Sequence, residues 1–396
     1  MDLFDKCRSF TSAREAQRAG IYPFFVPFED NDGATARLGG REIVMAGSNN
    51  YLGLTKDPRV LQASRQALET SGSSCTGSRL LNGNLALHEE LEVELAAYFG
   101  KPAALVFSTG YGANVGTISA LVSRGDQLFI DREAHASAID GAQMTRGQLR
   151  FFSHNDAQDL RARLARSDPQ VGRLVVVDGV YSMGGDLCPL PEMLDVCEEF
   201  GARLLVDDAH GAGVVGGGFG SCAQFGVTDR VDLITVTFSK AFASIGGAVV
   251  GDEEVIHYLH HHARSEIFSA SMTPASTAAA LAAVRIAATE PWRSRQALAN
   301  ARYVATALEG LGLQVGHSDS PIVPVHTQDA IGTALLWRRL MDLGVYTNVV
   351  LPPAATARLR TSFMATHTKE HLDRVVEAFA TVRDEGLVAS VQHSAA

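Results

Sequence analysis

The sequence predicts an α/β protein: a mainly parallel sheet with helices on both faces, followed by a smaller C-terminal α+β unit. Three observations carry this. Residues 46–285 alternate short apolar runs with amphipathic stretches of helix length. The runs (103–107, 127–130, 174–177, 204–206, 233–237 and 247–250) are nearly continuous in apolar character, as expected of strands buried on both sides. From about residue 286 the pattern changes to long amphipathic segments with short strand candidates between them.

In chain order, residues 1–45 read as an N-terminal arm, with a polar helix-like stretch at 12–19, the aromatic patch Ile21-Tyr-Pro-Phe-Phe-Val26 and short strand-like pieces. Residues 46–285 form the large domain, whose strand candidates are bounded by Gly, Asp or Ser. Residues 275–288 are alanine-rich without a break, so one long helix is expected to lead out of it. The small domain, 286–396, has helix candidates at 294–311, 331–343 and 368–384 and strand candidates at 322–325 and 359–362.

Composition narrows the function. A chain of 396 residues with 46% hydrophobic and 20% charged residues is ordinary for a soluble globular protein of about two domains. A net charge of −10 without a Lys/Arg run argues against nucleic acid. Cys7, Cys75, Cys188, Cys197 and Cys222 are odd in number and scattered, with no CxxC pair, so no metal site or disulfide framework is expected. The charged start, Met1-Asp-Leu-Phe-Asp-Lys, lacks the apolar core of a signal peptide, and no segment nears the ~18 apolar residues that span a bilayer. A cytoplasmic protein is the expectation.

Four segments at the ends of strand candidates carry chemistry. Ser108-Thr-Gly-Tyr-Gly-Ala-Asn114 runs from a strand into a helix, where backbone N–H groups suit a phosphate; alone, a plain turn is the stronger reading. His135 follows another strand, where an imidazole could stack on a planar cofactor or simply cap a helix. In Val206-Asp-Asp-Ala-His-Gly211, an acid at the edge of an apolar run is costly unless it meets a cation such as a protonated pyridine nitrogen. Strand-end capping explains Asp207 equally well, and His210 reads as a contact to cofactor or substrate or as a surface histidine. In Thr237-Phe-Ser-Lys-Ala-Phe-Ala-Ser244, Lys240 stands between an apolar strand and Gly246-Gly247, with Thr237 and Ser239 able to hold a phosphate. A lysine in an apolar setting is a nucleophile and base. One amine for an aldehyde and one carboxylate for a ring nitrogen are what pyridoxal 5'-phosphate requires. The joint occurrence of the four at one sheet edge weighs more than any one of them.

The chain resembles the α-oxoamine synthases, pyridoxal-phosphate-dependent transferases of fold type I, nearly end to end. The resemblance is carried by Gly47-Ser-Asn-Asn-Tyr-Leu-Gly-Leu54, Thr76-Gly-Ser-Arg-Leu-Leu-Asn-Gly83, Phe107-Ser-Thr-Gly-Tyr111 and the segment from Asp131 to Ser137. Asp178-Gly-Val-Tyr-Ser-Met183, the Asp207 and Lys240 segments and Ala357-Arg-Leu-Arg-Thr361 complete it. It implies that Lys240 bonds to the cofactor aldehyde and later removes the α-proton of the substrate. Asp207 would pair with the pyridinium, His210 touch the phenolic oxygen, and His135 stack on the ring. Gly110 and Tyr111 would offer amides to the phosphate, with Thr237 and Ser239 completing its shell and Ser182 near the phenolic side. Asn49 and Arg360 would hold the substrate carboxylate.

The implied reaction joins a small L-amino acid to an apolar acyl thioester with loss of carbon dioxide. The implied assembly is a homodimer with the site at the interface and Phe268-Ser-Ala-Ser-Met-Thr273 reaching across. Ser269-Ala-Ser-Met-Thr-Pro-Ala-Ser276 and Met364-Ala-Thr-His-Thr368 look most like the bacterial serine palmitoyltransferases. The 21–26 patch fits an apolar acyl chain or ordinary core. Gly211, where those enzymes usually have Ser and oxononanoate synthases Gly, departs from the pattern. So does Val350-Leu-Pro-Pro353, which lacks an arginine before Pro-Pro. Serine, alanine and glycine stay open as the amino acid, and coenzyme A or an acyl carrier protein as the carrier of the acyl group.

Overall fold

Residues 2–31, 33–316, 319–352 and 355–388 are described by the computed structural model. Their central sheet has seven strands, in the spatial order Ala103–Phe107, Gly247–Gly251, Leu233–Thr237, Arg203–Asp207, Arg173–Asp178, Gln127–Asp131, Gln148–Phe152. Successive residues of each inner strand feed opposite cores. Val175, Val177, Leu204, Val206, Ile234 and Val236 face one apolar cluster, and Leu174, Val176, Leu205 and Leu233 face the other. With roughly 1.5–3 kcal/mol for each fully buried aliphatic side chain, burial on both faces favours near-continuous apolar runs.

The helices Gly110–Leu121, Ala136–Gln143 and Glu253–His262 cover one face, contributing Ala113, Ile118, Ala138, Ala142, Ile256 and Leu259. Pro58–Ser71, Ala86–Tyr98, Ala157–Leu164, Leu190–Phe200 and Pro274–Thr289 pack on the other. The alanine-rich stretch is a helix, as expected. Thr273 caps it, Pro274 opens it, and its small side chains let it lie close to its neighbours.

Two features depart from the simplest reading of the sheet. Gln148–Phe152 is an edge strand that the apolar runs do not announce, because Gln148 and Arg150 interrupt it. Gly247–Gly251 runs antiparallel to both neighbours. Only residues 238–246 join it to the Leu233–Thr237 strand, fewer than the dozen or so that a parallel crossover requires. That short connection carries Lys240.

Beyond the sheet, Ile322–His326, Arg358–Ser362 and Asn348–Val350 pair antiparallel, beside the helices Trp292–Gly310, Ala330–Asp342 and Lys369–Asp384. The strand Arg41–Met45 joins this part of the molecule: Val44 pairs in parallel with Val345, and Ile43 and Val44 share a core with Val304, Leu336 and Phe379. This tethers the chain just before Asn49 and Tyr51 to the unit that carries Arg360. The aromatic patch divides: Pro23 is buried and Val26 packs against the core of the C-terminal part, while Phe25 is 91% and Phe24 41% exposed.

Candidate active site

A cavity of about 290 Å³ opens at the carboxyl ends of the parallel strands, where chains leaving adjacent strands diverge. Gly110, Tyr111, His135, Ser182, Asp207, His210, Thr237, Ser239 and Lys240 all line it. Asn49 and Arg360 reach it through their neighbours. Arg360 donates from Nε to the Ser182 carbonyl at 2.5 Å and from Nη2 to Asn49 Oδ1 at 3.1 Å.

One end of the cavity is built for an anion. Thr109 caps the Gly110–Leu121 helix, accepting from the Gly112 N–H at 2.8 Å, so the Gly110 and Tyr111 amides sit at a positive helix end. The Thr237 and Ser239 hydroxyls, 2.8 Å apart, lie beside it. A Cβ on Gly110 would stand 2.6 Å from Thr237 Cβ, so glycine is what allows the helix start to lie against the strand end.

At the floor, the Asp207 carboxylate accepts from Asn114 Nδ2 at 2.6 Å and from the Ala209 N–H at 3.0 Å. Asn114 is itself oriented, because its Oδ1 accepts from Thr235 Oγ1 at 2.6 Å. Asp178 pairs with Asp207 across the ladder, and burial, then the Asp207 charge, pushes its carboxyl well above the usual range. The Asp178 carboxyl accepts the His135 N–H at 3.2 Å, and His135 Nδ1 lies 2.7 Å from Ser137 Oγ. Burial lowers the His135 pKa, which favours a neutral flat ring beside the cavity.

Lys240 is held by a closed loop, in which Phe238 N–H donates to Gly246 O and Ser244 N–H to Phe238 O, each at 2.9 Å. Gly246 needs its φ of +124°, and a Cβ there would stand 2.4 Å from Met272 Sδ. Burial brings the Lys240 ammonium down to about 8, with Asp207 opposing the shift. His210 is driven well below its ordinary pKa by burial and by the Lys240 and Arg360 charges. Its Nδ1 lies 2.7 Å from the Tyr51 hydroxyl.

This donor set fits pyridoxal phosphate. It offers an anion cradle, a carboxylate for a ring nitrogen, a flat imidazole, and an amine that deprotonates near neutral pH. Sequence reasoning missed Asn114, Ser137, Asp178 and Tyr51. All four lie inside or at the end of the motifs named above, and Asp178, an acid closing an apolar run as Asp207 does, carries a signal that could have found it.

Gly211 has a packing explanation. A Cβ there would stand 2.1 Å from Asp208 Oδ1, and Gly211 is not among the residues lining the cavity. Asp208 is 1% exposed, and burial pushes its carboxyl up to about 7. A carboxyl raised on folding contributes stability that is complete below its unfolded pKa near 3.8 and lost as pH rises through about 7. Asp208→Asn, whose amide oxygen still accepts the Ser221 N–H, is therefore expected to unfold like the wild type at pH 4. At pH 8 it should be more stable by up to about 4 kcal/mol in urea melts. The other departure, residues 350–353, runs to Pro353, outside the described residues.

The chain matches the aminotransferase class I and II family over residues 41–379. It is 42% identical over 393 residues to the serine palmitoyltransferase of Sphingobacterium spiritivorum, across 98% of both chains. The 8-amino-7-oxononanoate synthase of Geotalea daltonii is 41% identical over 383 residues, covering 95% of this chain and 98% of that protein. Among solved structures, the serine palmitoyltransferase of Sphingomonas wittichii matches with a TM-score of 0.95 at 35% identity, over 98% of this chain and 100% of that one. A structure of SPT with PLP internal aldimine matches with a TM-score of 0.94 at 36% identity, over 98% of this chain and 100% of that one. The fold-type-I transferase architecture expected from the sequence is the one observed, and the chain belongs to the aminotransferase class I and II family, with serine palmitoyltransferases and 8-amino-7-oxononanoate synthases among its relatives.

Proposed function

We propose that the chain is a pyridoxal-phosphate-dependent C-acyltransferase. It condenses a small L-amino acid, serine favoured, with an apolar acyl thioester, giving an α-amino ketone, carbon dioxide and the free thiol. The observation that carries this reading is the convergence of Lys240, Asp207, His210 and His135 on one cavity with a helix-start anion cradle. When bound, the cofactor supplies an electron sink for the bonds at the amino acid's Cα.

The chain's own residues do the rest. Lys240 Nζ, freed of its proton near neutral pH, takes the Cα proton. Asp207 would hold positive charge at the ring nitrogen of the cofactor, His135 would lie against its ring, and His210 would donate to its phenolic oxygen. Arg360, with Asn49 beside it, receives the substrate carboxylate in a charge-assisted pair. The Gly110 and Tyr111 amides, with Thr237 and Ser239, would hold the phosphate.

The same reading makes the protein a cytoplasmic homodimer. Tyr111 and Ile245 line the cavity yet are 49% and 55% exposed, and Phe268, in the segment assigned to reach across, is 71% exposed, so a second copy would cover them. No helix among the described residues is long and apolar enough to cross a membrane. With serine and a palmitoyl donor the product is a sphingoid-base precursor, which places the reaction in sphingolipid metabolism.

The test is spectral titration of the cofactor-loaded protein with serine, alanine and glycine. Mass spectrometry of products from short and palmitoyl thioesters, on coenzyme A and on an acyl carrier protein, follows. Serine with the palmitoyl donor is expected to turn over fastest. Preference for alanine would instead favour the oxononanoate-synthase reading. Conversion of the amino acid to its keto acid without thioester consumption would make the chain an aminotransferase and overturn the proposal.

A further inference from the structure

Tyr51 is fully buried, yet its hydroxyl has three polar neighbours from three parts of the chain. His210 Nδ1 is 2.7 Å away, and Asn49 Oδ1 and Arg360 Nη2 are each 3.2 Å away. A tyrosine hydroxyl carries one proton to give and lone pairs to receive with. Arg360 can only donate, so it occupies a lone pair. Asn49 Oδ1 keeps a second lone pair beside the bond it accepts from Arg360 Nη2 at 3.1 Å, so it and His210 Nδ1 compete for the Tyr51 proton, and the closer approach of 2.7 Å against 3.2 Å favours His210 Nδ1. The adjoining guanidinium polarises the hydroxyl and makes it a better donor.

We propose that Tyr51 is a positioning residue: its hydroxyl donates to His210 Nδ1, fixes that imidazole as the Nε2–H form, and ties it to the Arg360 carboxylate clamp. The inference rests on the functional reading above and deepens it. His210 lines the cavity, and only a protonated Nε2 lets it give a hydrogen bond there while Nδ1 is engaged. Two opposed alternatives exist for this imidazole. With Nδ1–H the ring would donate to Tyr51, Tyr51 would donate to Asn49, and Nε2 could only accept from the cavity side. The proton balance of the site therefore turns on which way one hydroxyl points. Because Arg360 Nη2 touches the same oxygen, a substrate carboxylate that draws the guanidinium toward itself changes the polarisation of Tyr51. Carboxylate binding is thereby coupled to the donor strength of His210.

The experiment uses cofactor-loaded protein labelled with 15N-histidine, with the His210 resonances assigned by their loss in His210→Gln. Two-bond proton–nitrogen correlation reads the tautomer. The wild type is expected to show Nε2–H. Tyr51→Phe, which keeps the buried ring, is expected to show the Nδ1–H form or a mixture. It should also lose about tenfold in kcat with less than about a threefold change in amino-acid KM. Genetically encoded 3-fluorotyrosine at position 51 keeps the hydroxyl and should restore both the tautomer and kcat, which separates a lost proton donor from disturbed packing. An unchanged tautomer in Tyr51→Phe, or Nδ1–H in the wild type, overturns the proposal. A protein that shows the expected tautomers but turns over none of the three amino acids leaves Tyr51 in place and sinks the acyltransferase reading instead.

Discussion

Lys240→Ala is expected to fold, to bind pyridoxal phosphate without a bond that borohydride can fix, and to lose at least about 10³-fold in turnover. Folding should survive because burial outweighs the attraction of Asp207 and Asp178 for the Lys240 ammonium, lowering it to about 8, so the native state gives up no net charge stabilisation with the side chain. Turnover should not, because the same nitrogen serves as anchor and as base. Peptide mapping after borohydride reduction provides the direct check: cofactor fixed to the segment spanning residues 233–247 in the wild type and absent from it in the variant. Cofactor fixed at that place in Lys240→Ala would overturn the assignment. A pH series adds a second reading. The amine reacts only when deprotonated, so cofactor uptake by the apoprotein should rise with pH and level off above about 8. An ordinary lysine would keep gaining rate toward 10.5.

Asp207→Asn should bind the cofactor but lose roughly 10²–10³-fold in kcat, since the charge that sustains a protonated ring nitrogen is gone while the shape is kept. The loss should fall on kcat more than on amino-acid KM, because Asp207 acts where charge develops and Arg360 acts on the bound substrate. Asn114 sharpens the comparison. Its Nδ2 now donates to Asp207 at 2.6 Å, and an Asn at 207 can present either an oxygen or an amide to it. Kinetics of Asp207→Asn beside Asn114→Ala separate the charge from its orientation. If Asp207→Asn retained wild-type kcat, the carboxylate would have no part in the chemistry.

Much of this molecule is legible in one dimension. The inner strands are readable because each is pressed between two helix layers, so nearly every position must be apolar. Lys240, Asp207, His210 and His135 are readable only together and through the family resemblance, since each alone reads equally well as a cap, a turn or a surface group, and Asp178 at the end of a like run goes unread. Gln148–Phe152 is not readable, because an edge strand tolerates Gln148 and Arg150 and looks like a loop. Val345–Tyr346 and Asn348–Val350 are too short to leave a period. The aromatic patch at 21–26 reads equally as core or as a surface for an acyl chain, and the structure splits it, with Val26 packed on the core and Phe25 almost wholly exposed.

The sequence by itself determined the class of fold, the sheet edge where the candidate site lies, and the amine, acid and imidazoles that line one cavity there. These properties follow from local hydrophobicity and from residue types that are costly to place beside it. The tertiary structure decided which side chains hold the reactive ones in place. Asn114 orients Asp207 across 93 residues of chain, and Tyr51 meets His210 across 159. It also decided that Gly211 lies against the Asp208 carboxyl, where a Cβ has no room. Such contacts leave no period or spacing in the sequence. They are set by where the sheet and the layers around it bring distant backbone together, and a hydrogen bond a few ångströms long is sensitive to that placement.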